Sequence, residues 1–167
     1  MSERNTIQPY IFDTDSDTDQ AESTVEESII RMCQNVSEWC SCGNCEKMPT
    51  EAENVCCWEI PQVRRRMDQL ELQPSCMTEH PGMDPVCFNI YSLQNASNIY
   101  KADYGPLRLR GVQKQCRFLA YRSFASWCWG FLGRRVRVVI PACVVLKIRR
   151  QFPEEQGSYV GFRIAID

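Results

Sequence analysis

Five cysteines fall within the 24 residues from Glu38 to Pro61, EWCSCGNCEKMPTEAENVCCWEIP. Sulfurs this close can share a metal, pair as disulfides, form a redox centre or carry a membrane anchor, and each choice asks for a different fold. The whole chain has 11 cysteines in 167 residues. It opens MSERNTIQPY, with no basic segment leading into an apolar one, so no secretory leader is expected. The longest apolar runs, VRVVIPACVVLKI and SWCWGFLG, fall short of the roughly 20 residues that cross a membrane. The expected setting is therefore cytoplasmic, where thiols stay reduced and dense cysteines favour metal over disulfides. The odd number of cysteines also suits a full disulfide set poorly. Without export, the NVS and NAS sequons carry no weight.

Spacing narrows the choice. Cys42-Gly-Asn-Cys45 is a two-residue knuckle that turns both sulfurs toward one ion, and zinc favours such tetrahedral thiolate sites. Cys56 and Cys57 are adjacent, and neighbouring side chains diverge, so they are poorly placed for a single ion but well placed for two neighbouring ones. The pattern suggests a two-metal cluster with shared thiolates, needing about six cysteines instead of eight. A redox centre would put its CxxC at the start of a helix after a strand, whereas here an acidic segment precedes it.

The net charge of −2 hides a division along the chain. Residues 1–60 hold 13 acids and 3 bases, whereas residues 108–151 hold 11 bases and no acid. The basic stretch should attract an anion, unless it pairs with the chain's own acidic half. Residues 1–38, with DTDSDTDQAESTVEES, are expected to be an acidic tail without a core of its own, in which ESIIRMCQNV has the makings of a short helix. Residues 39–167 are expected to form the folded domain.

In that domain PQVRRRMDQLEL places Val63, Met67 and Leu70 at helical spacing. A helix is expected from Asp84 as N-cap, with Pro85 at its first position, to a stop at Gly105. KQCRFLAYRSFASWCWGFLG is expected to be a helix with an apolar stripe of Phe118, Tyr121, Ala125, Cys128 and Leu132. Phe124, Trp127 and Phe131 form a second aromatic face on it. RRVRVVIP is expected to be extended, and PACVVLKIRRQF to restart a helix at Pro141 and end before Pro153. The fold class is mostly α with irregular loops and little sheet.

Several separate motifs now carry a resemblance: WCSCGNC, then CC, a single C, AYRSFASW, PACVV and IRRQFPEEQGSYVGF. In this order they resemble the cytoplasmic C-terminal ballast domain of the ATP-gated purinergic receptor channels of P2X type, subtype seven, from about Trp39 to Ile164. The resemblance implies a zinc-stabilised compact domain with about two zinc ions and a guanine nucleotide, GDP or GTP. Carried over by position, the zinc ligands would be Cys42, Cys45, Cys56, Cys57, Cys76 and Cys143. Cys40 would serve lipidation or structure before zinc. The nucleotide positions would be Arg117, Tyr121, Val138, Val160 and Gly161, while Phe118 and Glu154 stand where the receptor has His and Lys. A carboxylate there should weaken the binding of a polyphosphate. No channel segment is visible, so a stand-alone version is expected, and neither ATP sensing nor ion conduction carries over.

Cys33 lies in the tail, Cys87, Cys116 and Cys128 sit in apolar helical settings that suit inert buried thiols, and His80 reads as a surface residue ahead of a zinc ligand. No set of nucleophile, base and orienting group is present, and zinc saturated with thiolates has no open position, so an enzyme is not expected. The expected role is a regulatory or scaffolding zinc module with a guanine-nucleotide site, a protein partner and weak membrane contact. The alternative is a nucleic-acid-binding protein that uses the basic 108–151 segment, with Tyr121, Trp127 and Trp129 as stacking platforms.

Overall fold

The structure is a computed structural model that describes residues 31–133 and 136–162. Among these residues it is helical with irregular loops and holds no strand. Most of the expected tail lies outside them. Residues 31–33 are helical, and α1 (Val36–Trp39) follows as a single turn. Asn35 starts α1, its backbone N–H donating to Glu38 Oε2 at 2.8 Å. Arg31 donates to the Asn54 carbonyl at 3.1 Å and pairs with Glu59 at 2.8 Å, and Trp39 is buried. Residues 31–38 of the expected tail thus contact the rest of the described chain.

α2 (Pro61–Asp68) begins on a proline, whose missing N–H costs nothing at a helix start, and buries Val63 and Met67 one turn apart. The helix expected from Asp84 is two pieces. A wide π-helical turn covers Asp84–Phe88, the chain extends at Asn89, and α3 (Ile90–Tyr104) begins afresh. Asn89 causes the break, because its side-chain oxygen accepts from the backbone N–H groups of Tyr91 and Ser92 at 2.9 and 3.2 Å. Gly105 ends α3 at φ 84°, a conformation glycine takes without strain.

α4 (Val112–Trp129) is the long central helix and packs against the π-helical turn, α3, α2 and α5. Its buried stripe is Cys116, Ala120, Phe124 and Cys128, four residues apart. The expected stripe lies one step round: Phe118, Tyr121 and Ala125 are half-buried flanks, and Phe131 is exposed beyond the helix end. Apolar residues surround much of α4, so periodicity alone does not choose the innermost row. Residues 136–140 form no strand, and α5 (Ala142–Gln151) follows Pro141 as expected. α5 buries Ala142, Cys143, Val144 and Ile148. One core results, in which Phe124, Met67, Met77 and Met83 adjoin the buried cysteines 42, 56, 57, 76 and 143.

Candidate metal centre

Four separate stretches of chain bring seven sulfurs together. The first is the knuckle after α1. Buried Trp39 anchors it, Gly43 turns the chain at φ 80°, and the Cys42 sulfur lies 3.6 Å from that of Cys40 and 3.7 Å from that of Cys45. The second is Cys56–Cys57, entering a short 3₁₀ turn (Cys57–Glu59). The Cys56 N–H donates to Glu59 Oε1 at 3.0 Å.

The loop between these stretches is braced by two buried polar side chains, Glu53 and Asn54. The Asn54 amide donates to the carbonyls of Met48 and Thr50 and accepts from the Met48 N–H, so a small loop without regular structure leaves few of its polar groups unpaired. The third stretch presents Cys76 ahead of a 3₁₀ turn (Met77–Glu79), and the Trp58 indole N–H clamps it by donating to the Ser75 carbonyl at 2.9 Å. The fourth is the first turn of α5. There the Ala142 N–H donates to the Val55 carbonyl at 2.9 Å, which draws Cys143 to the sulfur of Cys57.

The sulfurs form two groups of four, Cys40, Cys42, Cys45 and Cys56 in one and Cys42, Cys57, Cys76 and Cys143 in the other. Within each group all lie within 4.8 Å of one another. Cys42 belongs to both. Adjacent Cys56 and Cys57 go to different groups, as diverging neighbours must. A tetrahedral zinc–thiolate site with bonds of about 2.3 Å has sulfurs about 3.8 Å apart, which the knuckle distances approach. The donor set thus fits two ions that share the Cys42 thiolate. All six cysteines named by the resemblance are in this cluster, and Cys40 joins them as the seventh.

Protein donors already stabilise negative sulfur. The Thr78 N–H and hydroxyl reach the Cys76 sulfur at 3.4 and 3.0 Å, and the Met77 N–H reaches that of Cys57 at 3.5 Å. Contact with the Cys143 thiol lowers Cys42 to about 7 and holds Cys76 far below the usual thiol range. Contact with Cys45, then Cys57, does the same for Cys56. Cys143 is pushed far up by Cys42, Cys45, Cys57 and Cys76, because its proton is what those sulfurs share. So many close thiolates need a cation, or else protons in its place.

The chain matches the P2X purinoreceptor 7 intracellular domain family over residues 3–163. It belongs to that family. It is 28% identical over 133 residues to the P2X purinoceptor 7 of Rattus norvegicus, covering 75% of this chain and 20% of the relative. Against that of Mus musculus it is 26% identical over 146 residues, 83% of this chain and 22% of the relative. The chain thus spans about a fifth of the length of these relatives. Among the described residues no helix is long and apolar enough to cross a membrane.

The residues that the purinoceptor resemblance offered for a nucleotide are only partly together. Arg117 is buried, donating to the Phe152 carbonyl at 2.8 Å and pairing with Glu154 at 2.7 Å. Its guanidinium and that of Arg149 both lie over the Tyr159 ring, 5.0 and 4.7 Å from its centroid. Burial raises the phenol of Tyr121, against the pull of Arg149 and Arg117 beside it. Val138 is half-buried before Pro141, Val160 is exposed, and Gly161 closes on the carboxylate of Glu53. Phe118 is turned elsewhere, stacking edge-on with Tyr100 beneath the Arg122 guanidinium.

His80 is not at the cluster. Its Nδ1 accepts from the Gly82 N–H at 2.8 Å, so Nε2 carries the proton and donates to the Arg66 carbonyl at 3.0 Å, with Trp127 edge-on to the ring. Cys87 and Cys128 are buried thiols that desolvation pushes up to about 12, and burial raises Cys116 as well. Sequence reasoning missed the roles of Thr78, Asn54, Arg149 and Tyr159. Thr78 alone had a local signal, a hydroxyl two residues after a ligand-type cysteine.

Proposed function

We propose that this family member is a non-enzymatic cytoplasmic binding module whose fold depends on two zinc ions. The observation that carries this reading is the sharing of Cys42 between two four-sulfur groups. Zinc, when bound, would supply the charge that lets the thiolates coexist and would tie α1, the Cys56–Cys57 turn, the Cys76 turn and α5 together. Four thiolates per ion leave no position for a catalytic water. Elemental analysis of purified, untagged protein should find about two zinc ions per chain, and a strong chelator should unfold it. Metal-free protein that stays folded would sink the reading.

A guanine nucleotide, GDP or GTP, is the second ligand we propose, at the cationic and aromatic group of Arg117, Tyr121, Arg149 and Tyr159. Two guanidiniums against one tyrosine ring favour an anion with a stacking base. Glu154 opposes it, because its carboxylate already pairs with Arg117. Glu154→Lys should therefore tighten binding, and Arg117→Ala should abolish discrimination of guanine from adenine. The nucleic-acid reading has less support, because Tyr121, Trp127 and Trp129 are half-buried and pack against the core instead of standing out from the surface. Oligonucleotide binding that falls steeply with salt, with no GDP or GTP bound even by Glu154→Lys, would reverse the choice. A protein partner and weak membrane contact would use the exposed bases Arg108, Arg110 and Lys114.

A further inference from the structure

The two sulfur groups differ in their access to solvent. Cys57 and Cys76 have no exposure and Cys143 has 1 %, so beyond the shared Cys42 the inner group is sealed. In the outer group Cys40 and Cys45 are only half-buried. Cys45 is therefore a sulfur of the cluster that a small solute can reach, and its neighbour Cys42 lies 3.7 Å away across a turn that Gly43 makes at φ 80°. A two-residue spacing closes a disulfide readily, whereas the Cys40–Cys42 spacing of a single residue makes a tighter ring.

We propose that Cys42 and Cys45 are an oxidisable pair, and that a peroxide discharges the ion of the outer group while the inner group keeps its own. The inference rests on the two-ion reading above. The Cys45 thiolate attacks one peroxide oxygen, the O–O bond breaks, and Cys45 becomes a sulfenic acid as hydroxide leaves. The Cys42 thiolate then attacks that sulfur, the S–S bond forms, and a second hydroxide leaves. Two electrons pass from the two thiolates to the peroxide, and solvent protons convert both hydroxides to water.

The outer group is left with Cys40 and Cys56, too few thiolates to retain zinc against solvent. The inner group keeps Cys57, Cys76 and Cys143, all sealed and held by the Met77 N–H to Cys57 bond and the Ala142 N–H to Val55 bond. Oxidation would so loosen the knuckle behind α1 without dissolving the core. The thiols of Cys87, Cys116 and Cys128 are buried and protonated, which spares them.

The test uses the full zinc-loaded chain with exposed Cys33 replaced, Cys33→Ser, so that no lone surface thiol reacts. Zinc content is measured first. Hydrogen peroxide is then titrated in the presence of a chromogenic zinc indicator too weak to strip the untreated protein. Circular dichroism follows the fold, and peptide mass mapping follows the sulfurs. The expected result is loss of one of two ions, retained helical signal, a Cys42–Cys45 link, and recovery of the second ion after reductant and zinc. A starting content below two ions overturns the metal reading and this inference with it. Two ions at the start that leave together, that do not leave, or that leave with another pair linked overturn the inference alone. Cys45→Ser, which leaves three thiolates in the outer group, should form no Cys42–Cys45 link and release no ion to peroxide, but the parent titration decides the matter even if that variant fails to fold.

Discussion

Removing the Glu154 carboxylate isolates the interaction that decides whether Arg117 is available to a ligand. The ion pair is 2.7 Å long, with the Arg117 side chain 9% and the Glu154 side chain 30% exposed. An exposed pair contributes about 0.2–1 kcal/mol, while breaking a fully buried one costs about 3–5 kcal/mol. One sealed and one partly wet partner place this pair between those limits, so a coupling of about 1.5–2.5 kcal/mol is expected.

Glu154→Ala and Arg117→Met, alone and together, form the double-mutant cycle. Arg117→Met also deletes the bond to the Phe152 carbonyl, and the cycle subtracts that loss. Urea unfolding in saturating zinc, followed by the fluorescence of the four tryptophans, gives each midpoint. Glu154→Ala should lower the melting temperature by about 5–12 °C. A coupling below about 0.5 kcal/mol would mean that Glu154 does not hold Arg117, and the account of why it opposes an anion would fail.

Cys143→Ser, at the inner group, should lower zinc content and unfold the domain, whereas Cys116→Ser should do neither; metal analysis and circular dichroism on the two variants check this. Phe124 on α4 is fully buried, so Phe124→Ala opens a cavity in the core and should cost about 3–5 kcal/mol in denaturant unfolding, without changing zinc content. Cys87 and Cys128 are pushed up to about 12 by burial, while the unfolded thiols ionise near the ordinary thiol value of 9.0. Between those values the unfolded state binds fewer protons, so stability falls as pH rises. The slope is about 1.4 kcal/mol per pH unit for each thiol, and Cys128→Ala should lessen it. A flat profile from pH 9 upward in zinc-loaded protein would contradict the burial of these thiols.

Local features of the chain were sufficient to mark most of the helices and the cysteine cluster. Pro61 and Pro141 open helices and Gly105 closes one, because each acts through its own backbone geometry. The knuckle and the Cys56–Cys57 pair likewise pointed to a cluster of sulfurs through spacing alone. The structure supplied what spacing does not encode. Cys40 turns to the cluster because buried Trp39 and the docked α1 orient the knuckle. The innermost row of α4 is chosen by what packs on it, since its several apolar faces compete. Asn89 divides an apparently continuous helix by capping the second half with its own side chain. Arg117 meets Glu154 across 37 positions of sequence. Short-range preferences act within a turn or two and are written in neighbouring residues. Which sulfurs meet and which charges pair depends on packing between distant segments, and that only the folded chain decides.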